Sequence, residues 1–155
     1  MSIEAALTDL RSKVGTETHL GPWVTVTQER INAFAGATGD FQWIHVDPER
    51  AKTASPFGAT VAHGYLTLAL IPYLTESADP AKPRYAGVKM GVNYGLNRVR
   101  FPHPVIVGAK IRARTELVSV EEVAGGLQLV NKVTIEIEGG AKPVCVAETV
   151  TRLYF

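Results

Sequence analysis

The sequence predicts an α+β domain in which one curved antiparallel sheet wraps around a single apolar helix. Two observations carry that reading. From Gly64 to about Thr75 the chain is apolar on nearly every side, with Tyr65, Leu66, Leu68, Ala69, Leu70, Ile71, Tyr73 and Leu74. A helix without a polar face must be enclosed by other structure. The second half then alternates: Leu127, Leu129, Val133, Ile135 and Ile137 share one parity, and Gln128, Lys132, Thr134, Glu136 and Glu138 share the other. That period of two belongs to half-buried antiparallel strands.

The elements follow in order. Ile3, Ala6, Leu7 and Leu10 keep helical spacing, so residues 2–13 form a first helix stopped by Gly15. Residues 1–19 are read as a helical extension to one domain spanning 1–155. Trp23-Val24-Thr25-Val26 is a short strand. Thr27 is an N-cap for a helix with Ile31, Phe34, Ala35 and Thr38 on one face, and Gly39 ends it. Residues 40–46 carry no helical pattern and read as a loop. Asp47-Pro48 starts another helix, with the cap and the proline in their favoured places. Residues 52–60 are punctuated by Gly and Pro and read as irregular. Pro72 bends or ends the apolar helix, and residues 77–82 turn. Val99 and Phe101 alternate with Arg98 and Arg100. Ile111, Ala113 and Thr115 alternate with Lys110, Arg112 and Arg114. Gly125-Gly126 and Gly139-Gly140 sit at hairpin turns, and a last strand runs from about Val144 to Phe155. A meander packed on a central helix is the hot-dog architecture. Its free edges predict a homodimer with two sheets joined edge to edge.

Composition narrows the function classes. The chain has 155 residues, 46% apolar and 20% charged, and a net charge of +1, which suits a single globular domain. So small a charge gives no electrostatic case for nucleic acid or an anionic membrane. The most apolar run, Val61 to Leu74, is too short to span a bilayer. One cysteine, Cys145, rules out an intrachain disulfide and a four-cysteine zinc site. With Glu4 and Asp9 near an N-terminus that lacks a long apolar stretch, no secretory leader is expected, and the expected compartment is the cytoplasm.

The chemistry is concentrated in Gly39-Asp40-Phe41-Gln42-Trp43-Ile44-His45-Val46-Asp47. On a helix, Asp40 and His45 would stand roughly 140° apart and fail to converge. In a loop between two helices both can face one pocket, walled by Phe41, Trp43 and Ile44. A carboxylate beside an imidazole suits adding water across a conjugated double bond: water loses a proton as it attacks the β-carbon, and the α-carbon gains one. A second feature is Ala62-His63-Gly64-Tyr65, opening the apolar helix. N–H groups at a helix start lack partners and attract negative charge. Gly64 lets a thioester oxygen come close, where a donor stabilises an enolate-like transition state.

These residues resemble the hydratase motif of the MaoC-like dehydratases, the (R)-specific enoyl-CoA hydratases. Gln42-Trp43 stands where that motif usually has Asn-Pro. The form Gly-Asp-Phe-Gln-Trp-Ile-His-Val-Asp is similar to the nodulation protein N-like subgroup, as are Ala62-His63-Gly64 and the run from Asn93 to Pro102. The resemblance covers about residues 20–155. It implies a hot-dog homodimer acting on acyl-CoA, with catalysis by Asp40 and His45 and carbonyl binding by the Gly64 backbone. It implies no metal and no cofactor beyond the coenzyme A of the substrate. The family's hydratases can carry a serine late in the central helix that supports the aspartate; Pro72 falls near there, so that support must come from elsewhere.

Candidate substrate contacts are Gly64, Gln42, His63, Asn93, Tyr94 and Asn97. For His63 a structural role is the leading reading. Asn93, Tyr94 and Asn97 either line the acyl pocket or satisfy strand ends. The same-face cations Arg98, Arg100, Lys110, Arg112 and Arg114 either meet coenzyme A phosphates or form a solvated sheet face. A metal site at Asp40, His45, Asp47 and His63 is disfavoured, because Asp47 is explained as a cap and the spacing matches no common zinc pattern. The competing functions are an acyl-CoA thioesterase of the same fold and a non-catalytic acyl-thioester-binding module. Cys145, buried in a strand without a neighbouring base, is a poor nucleophile.

Overall fold

A computed structural model describes residues 2–155. Its elements are α1 (Ile3–Lys13), β1 (Glu17–Leu20), β2 (Val24–Thr25), α2 (Gln28–Thr38), α3 (Trp43–Val46), α4 (Pro48–Ala54), α5 (Gly64–Ala69), α6 (Ile71–Leu74), β3 (Met90–Arg100), β4 (Lys110–Val123), β5 (Gly126–Ile137) and β6 (Cys145–Tyr154). The strands form one antiparallel sheet in the order β1-β4-β5-β6-β3, with β2 also on β4. This is the curved α+β hot-dog arrangement that the alternation predicts.

The meander follows directly from its pattern. Ile111, Ala113, Thr115 and Leu117 of β4 are buried, as are Leu127, Leu129, Val133 and Ile135 of β5. The β4–β5 hairpin turns at Gly125, whose φ of +77° favours glycine. One core joins these strands to Val26, Ile31, Ala62, Leu66 and Leu74. A second core seats Ala6, Leu7 and Leu10 of α1 on Leu117, Leu127, Leu129 and Leu153.

Four expectations need correction. Residues 1–19 are helical only as far as Lys13; Glu17–Leu20 is a strand on β4. Four residues at a sheet edge carry too little alternation to announce themselves. The segment 40–46 is not all loop, because Trp43–Val46 makes one helical turn, and α4 extends to Ala54 into the stretch read as irregular. The central helix is two pieces, α5 and α6, meeting at Leu70, a break of the kind that Pro72 predicts. Pro72 has no N–H to continue the ladder. Nor is that helix enclosed all round: Leu66, Thr67 and Leu74 are buried, while Tyr65 is 72% and Tyr73 56% exposed. Among the described residues, no helix is long and apolar enough to cross a membrane.

Candidate active site

The site forms where α2, α3 and the lead into α5 meet. Thr27 caps α2 through the Arg30 N–H, and Gly39 closes it in the left-handed conformation, φ +78°. The chain can therefore reverse at once, with Asp40 at the bend. The Asp40 carboxylate accepts the Gln42 N–H at 3.2 Å, an Asx-type turn that starts α3. The Gln42 carbonyl accepts the His45 N–H. The Arg50 guanidinium lies over the Trp43 ring at 4.3 Å and braces the outer side.

Backbone straps then fix α3 against Thr60–His63. The Val61 N–H donates to the Ile44 carbonyl at 3.0 Å. His45 Nδ1 lies 2.6 Å from the Val61 carbonyl. A carbonyl only accepts, so Nδ1 carries a proton, and in the neutral ring Nε2 holds the lone pair. Gln28 donates to the His45 carbonyl at 2.7 Å and accepts from the buried Thr60 hydroxyl. Ala62 and Val107 tie the same segment to its neighbour at Val105 and Thr60.

Asp40, His45 and His63 each place one side-chain donor atom within 4.8 Å of the others. His45 and His63 are 7% and 3% exposed, whereas the Asp40 side chain is half exposed. The two imidazoles stack, centroids 3.8 Å apart and planes 25° apart. His63 Nε2 sits 2.9 Å from the Asp40 carbonyl and 3.9 Å from its carboxylate. The two histidines and the carboxylate have the composition of a metal-ligand set, but a hydrogen bond to the Asp40 carbonyl already occupies His63 Nε2.

Gly64 follows His63 as the first residue of α5. A Cβ there would come within 3.2–3.3 Å of the Phe101 ring, tighter than that packing accepts without movement. A cavity of about 240 Å³ opens beside it, lined by Gly64, Thr67, Phe101, His103 and Val105 among others. Asp40, His45 and His63 do not line it; the cluster reaches solvent through the half-exposed Asp40. A larger cavity of about 910 Å³ lies between α6, the segment after it and the sheet, with Asn93, Leu96, Leu129 and Thr149 in its wall.

The structure therefore brings Asp40, His45, His63 and Gly64 together, but not the other candidates. Gln42 contributes its backbone to the turn, and its side chain is exposed. Asn93 faces the larger cavity. Tyr94 lies under the Arg152 guanidinium at 3.5 Å, and Asn97 donates to Glu148 at 2.8 Å, so both serve the outer strand pair. Arg112 and Arg114 share Glu136, and Arg114 also holds Glu17. They belong to a paired sheet face. Sequence reasoning missed Gln28 and Thr60, whose types and spacing carry no signal. It also missed that His63 packs on His45; Phe101, within the singled-out run from Asn93 to Pro102, was not singled out as the cover of Gly64.

A curved sheet on a short central helix, with a carboxylate and two histidines beside an unpaired helix start, defines a hot-dog domain equipped for acid–base chemistry. Comparison with known proteins takes this further: the MaoC like domain matches residues 9–139, and the chain belongs to that family. It is 52% identical to the 3-hydroxyacyl-thioester dehydratase Z of Mycobacterium tuberculosis over 148 residues, 95% of each chain. It is 44% identical to the nodulation protein N of Rhizobium leguminosarum bv. viciae, over 98% of this chain and 93% of the other. Among solved structures, the monoamine oxidase regulatory protein of Archaeoglobus fulgius superposes with a TM-score of 0.73 at 25% identity, over 92% and 91% of the two chains.

Proposed function

We propose that this chain is a hydro-lyase that adds water reversibly to trans-2-enoyl-CoA, giving (R)-3-hydroxyacyl-CoA, with Asp40 and His45 as its acid–base pair. The observation that carries this reading is the cluster of Asp40, His45 and His63 immediately before the Gly64 N–H. The high identity to a 3-hydroxyacyl-thioester dehydratase supports the reaction class.

Mechanistically, the lone pair on His45 Nε2 takes a proton from water as its oxygen bonds the β-carbon. The π electrons shift toward the α-carbon and the thioester oxygen, where the Gly64 N–H stabilises the developing charge. Because α5 has only six residues, the donor itself matters more than a long helix dipole; one such donor is typically worth about 3–4 kcal/mol in barrier. Asp40 holds the water and relays to the α-carbon the proton that His45 has taken, so that HO and H add across the bond and both side chains end as they began. Nothing in these steps calls for a metal or redox cofactor.

A homodimer fits the same reading. Among the described residues, strand β3 pairs only with β6 and exposes Met90, Tyr94 and Leu96, an edge suited to a second copy.

The test is loss of enoyl absorbance on adding the protein to crotonyl-CoA and longer enoyl-CoA thioesters, with product stereochemistry determined. Turnover to the (R)-product is expected, and Asp40→Asn and His45→Gln should each lower kcat by about 10²-fold or more. Wild-type turnover in both variants would overturn the assignment. Release of free thiol without hydration would show thioester hydrolysis instead.

A further inference from the structure

We propose that His63 is the positioning residue of this site: as its Nε2–H tautomer it fastens the Asp40 backbone and holds the His45 ring in its working orientation. The kinetic part of this inference rests on the hydration reading; the tautomer part does not.

Three observations carry it. First, His63 Nε2 faces the Asp40 carbonyl at 2.9 Å, while Nδ1 is buried without a partner. With the proton on Nε2, only an acceptor lone pair goes unsatisfied. With the proton on Nδ1, a buried N–H would be orphaned and two lone pairs would face each other. Orphaned buried donors are the rarer and costlier case. Second, the His63 ring stacks face to face on His45 at 3.8 Å, and Phe34 packs against it at 5.0 Å. The His45 ring is therefore fixed at one edge by the Val61 carbonyl and on one face by His63. Third, the His63 main chain opens α5, and its carbonyl accepts the Leu66 and Thr67 N–H groups. One residue thus joins the acid–base pair to the Gly64 donor by covalent adjacency. Displacements of about 1 Å at such a junction can cost about 10²-fold in rate.

Two variants separate the parts. His63→Phe keeps a flat ring and loses the donor. His63→Gln keeps an N–H near the Nε2 position and loses the ring. In the full-length wild type, long-range ¹H–¹⁵N spectra of the imidazoles should show His63 as Nε2–H and His45 as Nδ1–H. With enoyl-CoA, His63→Phe should lose about 10- to 100-fold in kcat with KM within about threefold. His63→Gln should recover part of that loss. A purely structural role would lower thermal stability and leave the kcat of the folded fraction and the His45 tautomer unmoved.

The proposal is overturned if His63 carries its proton on Nδ1, or if both variants fold with wild-type kcat. If His63→Phe does not fold, His63→Gln and the wild-type tautomers decide. A wild type that never hydrates an enoyl thioester sinks the hydration reading alone. In that case the tautomers, and loss of the single His45 tautomer in the variants, still decide the positioning role.

Discussion

Strands β4 to β6 and the segment from Gln28 to Gly64 border the same core, yet different interactions hold them. In the strands, burial alternates over stretches such as Ile111–Leu117 and Val133–Ile135, and each strand is backed by a ladder of backbone hydrogen bonds. No single side chain is special. In the segment, buried or half-buried polar groups (Gln28, His45, Thr60 and His63) hold the backbone through a few specific bonds. The contrast separates a scaffold with distributed stability from a candidate site in which each contact also sets the placement of Asp40, His45 and His63.

Damage to the two regions should therefore look different. The largest stability effect belongs to the sheet. Ile135 is fully buried, so Ile135→Ala should destabilise by about 2–5 kcal/mol, measured by urea unfolding. Turnover of the folded fraction should hardly change. If turnover falls in step with stability, the scaffold and the site are not separable in this way.

A smaller effect with the opposite signature is expected at Gln28. Gln28→Leu leaves the His45 carbonyl and the Thr60 hydroxyl without partners. The cost should be about 1–3 kcal/mol, and kcat should fall further than stability alone accounts for. Equal losses in both would place Gln28 with the scaffold.

The same contrast explains what was legible. Alternation from Lys110 to Ile137 and the glycine turns announced the meander, because periodic burial is written into residue order. Asp40 and His45 were legible as residue types between Gly39 and Pro48, before any geometry. Their connection through His63 was not, because a stack between residues 18 apart depends on how α3 and α5 pack. Likewise β1 escaped notice because its identity lies in its pairing with Glu116, Thr115 and Arg114. The placement of Asn93, Tyr94 and Asn97 on an edge strand is a property of strand order, which local pattern does not encode.

On the outer sheet face, Glu136 bridges Arg112 and Arg114. Its hydrogen bond to Arg112 holds its carboxyl below the ordinary glutamate value, against burial, with Arg114 adding to the effect. A depressed carboxylate stabilises the fold above its unfolded pKa, and that contribution is lost as pH falls through the folded value. Glu136→Gln should therefore lower Tm by no more than about 3 °C at pH 7. The gap between variant and wild type should close below about pH 4. A gap that is constant down to acid pH would show that packing, not charge, is lost.

The smallest expected effect is also the sharpest probe of the contrast. Cys145 is fully buried opposite Ile135, and burial pushes its thiol up to about 11. The thiolate is the reactive form, so iodoacetamide at neutral pH can label Cys145 only when the sheet opens, and wild type should label no faster than it unfolds. In Ile135→Ala, labelling should accelerate, because the strand pair itself is weakened. In Gln28→Leu it should stay at the wild-type rate while turnover falls, because the segment loosens without opening β5 from β6. If Gln28→Leu accelerates labelling as Ile135→Ala does, the two regions open as one cooperative unit, and the stability of the site is then the stability of the sheet.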